Sequence, residues 1–241
     1  MANGTTDLKQ LVQALVGIQL SPMQQQAFAW YAQELRLWND KINLTAITEP
    51  EQIEVKHFLD SLSCLLVDKF RPPGSVIDIG TGAGFPGLPL KIIYPGFQLT
   101  LVESIGKKTD FCQHIIEGLA LDGVEILRGR AEELGHLPGQ RGHYDWALAR
   151  SVASLPTLLE YVVPFLKLEG RAILQKGEAG PSEVQGSGAA LRLLGAEIET
   201  LTPVELPRVP ETRHLILVHK CAATPSNYPR RVGVPSRRPL S

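Results

Sequence analysis

The stretch VIDIGTGAGFPGLPL, residues 76–90, governs the reading of this chain. Val76-Ile77-Asp78-Ile79 is apolar and β-branched apart from one carboxylate, the pattern of a strand buried on both faces in a parallel sheet. Four glycines, Gly80, Gly82, Gly84 and Gly87, then fall within eight residues. Glycine tolerates positive φ and close backbone contact, at an entropic cost that a chain seldom accepts without a use. The turn is therefore expected to offer bare peptide to a ligand, with a helix from near Gly87 aiming its amides back at it.

Working outward, strands are predicted at 75–79, 97–102, 124–128, 145–149 and 171–175, with helices around 88–94, 106–120, 154–166 and 181–194. This alternation implies βαβ units and a parallel sheet with helices on both faces. Two last strands, near 196–202 and 213–219, are joined by PVELPRVPET. That joint is too short for a crossover helix, so the final pair is expected to be antiparallel. The first seventy residues read as helical. Leu8, Leu11, Val12 and Leu15 recur at helical spacing, Ser21-Pro22 with Gln24 marks a helix start, and Thr48-Glu49-Pro50-Glu51 reads as a capping box. Between them WNDKINLTAIT, residues 38–48, reads as a polar turn holding Asn39 and Asn43, and Arg71-Pro72-Pro73-Gly74 breaks the pattern before the first strand. The expected organisation is an N-terminal helical cap over 1–70, an α/β domain over 71–221 and a tail over 222–241. The tail, rich in Pro, Ser and Arg, is expected to pack poorly.

At 241 residues and 44% hydrophobic composition the chain can bury a proper core. No apolar run approaches the roughly 20 residues needed to cross a bilayer, and MANGTTDLKQ lacks a signal-peptide pattern, so a soluble, cytoplasmic protein with no membrane partner is expected. Cys64, Cys112 and Cys221 are odd in number and widely spaced, which indicates neither a disulfide framework nor a metal site. Net charge is −1, yet no acid follows Glu211 while Arg213, Lys220, Arg230, Arg231, Arg237 and Arg238 accumulate. A basic end suggests a polyanionic partner. No surplus amphipathic stripe is evident, which makes a monomer the default.

Gly82-Ala83-Gly84-Phe85-Pro86-Gly87 is literally G-x-G-x-x-G, which would suggest a dinucleotide and hydride transfer. Two details point elsewhere. Asp78 precedes the first glycine by two positions, and Phe85-Pro86 puts a stiff apolar corner where a pyrophosphate would want free amides. The second strand ends in Leu101-Val102-Glu103, placing an acid at its carboxyl end, where it can accept ribose hydroxyls. A cationic, phosphate-free nucleoside fits better than NAD, and S-adenosylmethionine is such a ligand. Its amino-acid end would lie along Gly80, Gly82 and Gly84, with Asp78 and Glu103 supplying negative charge. The bland alternatives are a tight corner and a solvated strand-end acid.

With NLTAIT (43–48), HFLDSL (57–62), LVES and KKTDF (101–111), RAEEL (130–134), ARSVASLP (149–156), LQKG (174–177) and YPRRVGVPSRRPL (228–240), the chain resembles over nearly its whole length a bacterial family. It is the family of methyltransferases that modify guanine N7 in 16S, small-subunit ribosomal RNA, formerly called glucose-inhibited division protein B. The resemblance implies a class I S-adenosylmethionine-dependent methyltransferase fold, Rossmann-like, with a mostly parallel seven-stranded sheet and an antiparallel last strand. It places cofactor-binding positions on Gly80, Phe85, Ala131, Glu132 and Arg150, with Glu103 matching the ribose-binding acid of the wider fold. Arg150 at the end of the fourth strand and His57 with Asp60 before the first are substrate-side candidates that the family motifs favour; Lys176, at the end of the fifth strand on the same edge, is read from its position as a phosphate contact, and Arg150, Lys176 and His57 are the catalytic candidates. Taken alone, Ala131-Glu132 is an ordinary helix start, Arg150 a helix-side ion pair, Lys176 a snorkelling lysine and His57 a packed histidine. Cys112, His214 and His219 read as structural.

The chain has no D/N-P-P-Y/F/W motif of the kind that grips exocyclic amines, and no cysteine placed to attack a pyrimidine. Guanine N7 needs neither, because it loses no proton before attack. Alignment is expected to dominate, with no base-type rise in rate near neutral pH. In A-form RNA N7 faces a deep, narrow groove, so the target should lie in a loop or be extruded, held through phosphates by Arg230, Arg231, Arg237 and Arg238. Truncation before Tyr228 is expected to weaken RNA binding and leave cofactor affinity intact. Two rivals stay open: an NAD-dependent oxidoreductase, and a ribosome-binding factor that keeps the fold without chemistry.

Overall fold

The computed structural model describes residues 7–67, 70, 74–150 and 153–240. Its centre is a seven-stranded sheet of β1 (Ser75–Ile79), β2 (Gln98–Glu103), β3 (Val124–Arg128), β4 (Tyr144–Arg150), β5 (Leu166–Lys176), β6 (Ala196–Val204) and β7 (Arg213–Lys220), in the order β3-β2-β1-β4-β5-β7-β6. The pairs β1–β2, β2–β3, β1–β4 and β4–β5 are parallel. β7 runs antiparallel to both its neighbours, inserted between β5 and β6. The chain leaves β1 toward β2 on one side and returns to β4 on the other, so strand order reverses at β1. An open α/β sheet has its ligand crevice outside the carboxyl ends of the strands at such a point.

One face of the sheet packs Val76, Leu99, Leu101, Leu148 and Leu217 against Phe28, Tyr31, Leu35, Phe58 and Leu62 from the N-terminal helices in a single core. The opposite face packs Ile77, Ala147, Leu174 and Val218 against the helix Leu155–Val162 and Leu194. Helix Pro22–Ile42 starts as predicted, with Ser21 Oγ accepting from Gln24 N (3.2 Å) and Gln24 Oε1 accepting from Ser21 N (3.0 Å). It runs five residues into the expected turn; the chain reverses at Asn43, in the left-handed region, and Asn39 Oδ1 collects the amides of Leu44 and Thr45. The predicted cap at Thr48 is not formed. The next helix begins at Pro50, whose ring supplies the initiating φ, with Glu49 in the cap position and no side-chain cap bond. From there the backbone stays helical through a π-helical turn, Glu54–Leu59, that carries His57, and on through Asp60–Leu62. The predicted helix 181–194 is two, Gly180–Gln185 and Gly188–Leu194, broken around Gly186. The predicted break at Arg71-Pro72-Pro73 and two residues of the ARSVASLP motif, Ser151 and Val152, lie outside the described residues.

The tail contradicts its expectation and packs. Glu160 on helix Leu155–Val162 has a fully buried carboxylate, and a buried charge persists only with a partner. Arg230 supplies it, with Nη2 at 2.6 Å and Nε at 2.9 Å from the two oxygens. Arg141 donates to the carbonyls of Thr224 (2.9 Å), Pro225 (3.0 Å) and Tyr228 (2.6 Å), and Leu240 is buried against the second core.

Candidate active site

The glycine turn is built from below. Gly80, Gly82 and Gly84 have φ of 71°, 62° and 93°, a region that side chains disfavour. Asp78 lies wholly buried under them, its Oδ2 accepting from Thr81 Oγ1 (2.7 Å) and from Gly87 N (2.9 Å). A Cβ at Gly87 would sit 2.9 Å from that oxygen, and one at Gly84 would collide with the Tyr31 hydroxyl and Leu88. Gly82 has an open face, its nearest neighbour being the Gly80 carbonyl at 4.0 Å. The close approach that requires two of the four glycines is thus made by the protein itself. Asp78, expected beside Glu103 as negative charge facing the ligand, does not line the cavities on either side of the turn; it braces the turn from beneath. Burial pushes its carboxyl up to about 6, against the opposing pull of its two hydrogen bonds and of Arg150.

On one side of Gly80 lies a cavity of about 260 Å3 lined by Glu103, Ile105, Lys108, Ala131, Glu132 and Tyr161. Glu103 ends β2 and is nearly buried; Oε1 accepts from the amides of Ser104 (2.7 Å) and Ile105 (2.9 Å), and Oε2 from Gly82 N (3.2 Å). Ala131 opens the short helix Ala131–Leu134 beyond β3. Glu132 accepts from the Gly233 amide (3.0 Å), and burial, with Glu132 next in weight, raises the Tyr161 phenol above its usual range. The tail therefore reaches this rim.

On the other side a second cavity, about 290 Å3, is lined by Thr45, His57, Asp60, Phe85, Arg150, Lys176 and Arg213, and shares Gly80 and Lys108 with the first. The two are ends of one crevice at the carboxyl edge of the sheet. Arg150 organises this end, donating Nη1 to Asp60 Oδ2 (2.9 Å) and to the Lys56 carbonyl (3.0 Å), with Nη2 3.2 Å from His57 Nδ1. The His57 ring stacks on Phe85 with centroids 4.5 Å apart at 5°, and Tyr31 stacks on it at 5.5 Å and 11°. The Arg150 guanidinium lies 5.0 Å from the same ring centre, so Phe85 is held by protein rather than offered as a stacking face. Burial first, and then the Arg150 charge, depress His57 to about 3. Lys176 is bound to Glu183 (2.9 Å) and to the Ala153 carbonyl (2.7 Å), an inward ion pair rather than a snorkelling lysine.

The structure thus brings together His57, Asp60, Phe85, Arg150 and Lys176 at one end and Glu103, Ala131 and Glu132 at the other, with Gly80 between. Arg230, expected to hold phosphate, is committed to Glu160, and Arg237 turns back onto the Gly233 carbonyl (3.0 Å); Arg231 and Arg238 are exposed. Sequence reasoning gave no role to Thr45, Lys108 or Gln175, though each lies inside a quoted motif, and counted Arg213 only as charge. Cys112 is buried on the Gly82 carbonyl (3.5 Å), His214 bonds the Gly177 carbonyl (3.0 Å), and His219 sits between Glu169 and Glu197.

A family model described as rRNA small subunit methyltransferase G matches residues 24–216, most of the chain. The chain belongs to that family. Relatives named Ribosomal RNA small subunit methyltransferase G agree: that of Roseiflexus castenholzii is 47% identical over 224 residues, 93% of this chain and 95% of the relative. That of Alkaliphilus metalliredigens is 43% identical over 225 residues, 93% and 94% of the two chains. Among solved structures, a SAM-dependent methyltransferase from Aquifex aeolicus superposes with a TM-score of 0.53 at 16% identity, covering 71% of this chain and 94% of its own. The YcgJ protein of Bacillus subtilis gives 0.52 at 15%, covering 69% and 100%. These show the class I, Rossmann-like methyltransferase fold. The antiparallel β7 lies inside the sheet, between β5 and β6. Among the described residues no helix is long and apolar enough to cross a membrane.

Proposed function

We infer that this chain transfers a methyl group from S-adenosylmethionine to N7 of a guanine in small-subunit ribosomal RNA. The observation that carries the reading is the two-ended crevice joined at Gly80, in a chain of the rRNA small subunit methyltransferase G family. The residues present fit the cofactor. Gly82 keeps an open peptide face, Glu103 places a carboxylate at the end of β2, and Ala131 and Glu132 close the far rim. A pyridine dinucleotide fits less well. The amides that would cradle its pyrophosphate are already taken, those of Gly84 and Phe85 by the Thr81 carbonyl and that of Gly87 by Asp78.

The bound cofactor supplies an activated methyl group; the remaining demands fall on the chain. Glu103 orients the ribose end, and the glycine turn, braced by Asp78, holds the amino-acid end. His57 does not serve as a base. Its Nδ1 faces an arginine that can only donate, and its pKa is near 3, so it has neither a free lone pair there nor basicity to offer. That suits an acceptor with no proton to lose, as guanine N7 is. Alignment of acceptor and methyl then supplies about 7–11 kcal/mol of barrier reduction.

The N-terminal extension contributes Thr45, His57 and Asp60 to the substrate end, and Lys56, Lys108 and Arg213 place cations round its mouth. These, with Arg231 and Arg238, meet RNA phosphates. A-form RNA buries N7 in a narrow groove, so the acceptor lies in a loop or is extruded. The protein works on RNA or the small ribosomal subunit as a cytoplasmic monomer. Equilibrium dialysis tests the cofactor directly: saturable binding of S-adenosylmethionine without NAD is expected, and binding of NAD in its place overturns the reading.

A further inference from the structure

The hydroxyl of Thr45 has a fixed polarity, set by three neighbours. A hydroxyl owns one proton and two lone pairs, and ordinarily rotates to donate or accept as a partner requires. Here the Ile47 amide donates to Thr45 Oγ1 at 3.0 Å, and His57 Nε2 lies 2.9 Å from the same oxygen. The role of that nitrogen follows from the other side of the ring. Arg150 Nη2, 3.2 Å from His57 Nδ1, has no lone pair to offer, so Nδ1 accepts and the single ring proton resides on Nε2. Both lone pairs of Thr45 are therefore occupied by donors. Its own proton has no acceptor among the described residues, while the side chain is part-exposed and lines the substrate end of the crevice. The site thus contains a neutral group that can give a hydrogen bond and cannot take one.

Purine bases differ in what they show beside N7. Guanine carries O6, an acceptor; adenine carries N6–H2, a donor. A hydroxyl free to rotate would satisfy either. One locked as a donor satisfies O6 and opposes N6–H2, and it leaves the N7 lone pair free to react. We propose that Thr45 is the specificity-determining residue for the acceptor base, donating its hydroxyl proton to guanine O6, with His57 and Arg150 as the positioning residues that hold it in that sense. The inference rests on the assignment of guanine N7 as acceptor.

The test exchanges the atom on the base and the atom on the protein together. Small ribosomal subunits are reconstituted with RNA carrying guanosine, inosine or 2-aminopurine riboside at the acceptor position. All three keep N7; inosine keeps O6 and lacks the 2-amino group, and 2-aminopurine lacks O6. The wild-type protein is expected to methylate guanosine and inosine at similar kcat/KM and 2-aminopurine at least about tenfold more slowly. Thr45→Val is expected to bring the inosine and 2-aminopurine rates together, and Thr45→Ser to restore the gap. Dialysis with S-adenosylmethionine confirms that Thr45→Val retains its cofactor end. Wild-type protein that treats inosine and 2-aminopurine alike overturns the proposal without recourse to any variant. So does a Thr45→Val protein that keeps the wild-type ratio, or one that loses all three substrates equally, as a phosphate contact would. Failure of guanosine itself with the wild-type protein sinks the acceptor assignment instead, and is recognised by blank results for every base.

Discussion

At the Glu103 end of the crevice the wall comes chiefly from short segments that directly follow strands: Gly80 after β1, Glu103 closing β2, Ala131 and Glu132 just beyond β3. At the Thr45 end it is assembled from Thr45, His57 and Asp60 of the N-terminal extension, Arg150 and Lys176 at the ends of β4 and β5, and Arg213 at the start of β7. The first end is therefore fixed by the local turn chemistry that any nucleoside-binding α/β sheet uses. The second depends on long-range pairs, of which Arg150 with Asp60, ninety residues apart, is the most demanding. One end is a property of the fold, and the other of this family.

In the pair Arg150–Asp60 the carboxylate is buried and the guanidinium largely so, so removing one partner leaves a charge poorly compensated. Arg150→Met is expected to cost about 3–5 kcal/mol in denaturant unfolding, with Asp60→Asn in the same chain recovering part of it. A loss below about 1 kcal/mol would mean that the substrate end is not held by this pair. The cofactor end is probed by Glu103→Ala, expected to weaken S-adenosylmethionine binding by about 2–3 kcal/mol, roughly thirtyfold to more than a hundredfold, as read by dialysis. If the affinity is unchanged, the ribose is not held there and the division between the two ends fails.

Titration sharpens the contrast. His57 stays neutral in the fold down to about pH 3, whereas an unfolded histidine protonates near 6.5, so its contribution is complete above pH 6.5 and is lost as pH falls toward 3. Asp78 acts in the opposite sense. Its folded pKa near 6 lies above the unfolded 3.8, so its contribution is present below 3.8 and is lost as pH rises through 6. The stability gap between wild type and His57→Gln is therefore expected to shrink by about 2 kcal/mol from pH 7 to pH 5. A pH-independent gap would mean that the imidazole is not buried neutral.

The smallest effect links the tail to the far end. Because the Gly233 amide bonds Glu132 on the rim, removal of residues 232–241 is expected to lower cofactor affinity severalfold, about 1 kcal/mol. The sequence alone suggested that truncating the tail would spare the cofactor. Unchanged affinity would uncouple tail and rim.

The strands, their parallel order and the antiparallel β7 were legible because buried β-branched runs and a proline-punctuated joint are local signals. Glu103 and the glycine turn were legible for the same reason. What Asp78 faces was not. A carboxylate two residues before a glycine reads as a ligand contact until the bonds to Thr81 and Gly87 show it underneath the turn. The tail misled in a similar way, since a run of Pro, Ser and Arg has the composition of a loose end, and only the buried Glu160 reveals why Arg230 must return. Thr45 carried no signal of its own. Its role depends on Ile47, His57 and Arg150 meeting in space, which family motifs can mark as important but no spacing rule can supply.

The most direct test of the central claim is nucleoside mass spectrometry of small-subunit ribosomal RNA lacking the modification, after incubation with this protein and methyl-labelled S-adenosylmethionine. One labelled 7-methylguanosine per RNA, at a single position, is the predicted result. Label on another atom or base, or no label while the cofactor binds, would contradict it.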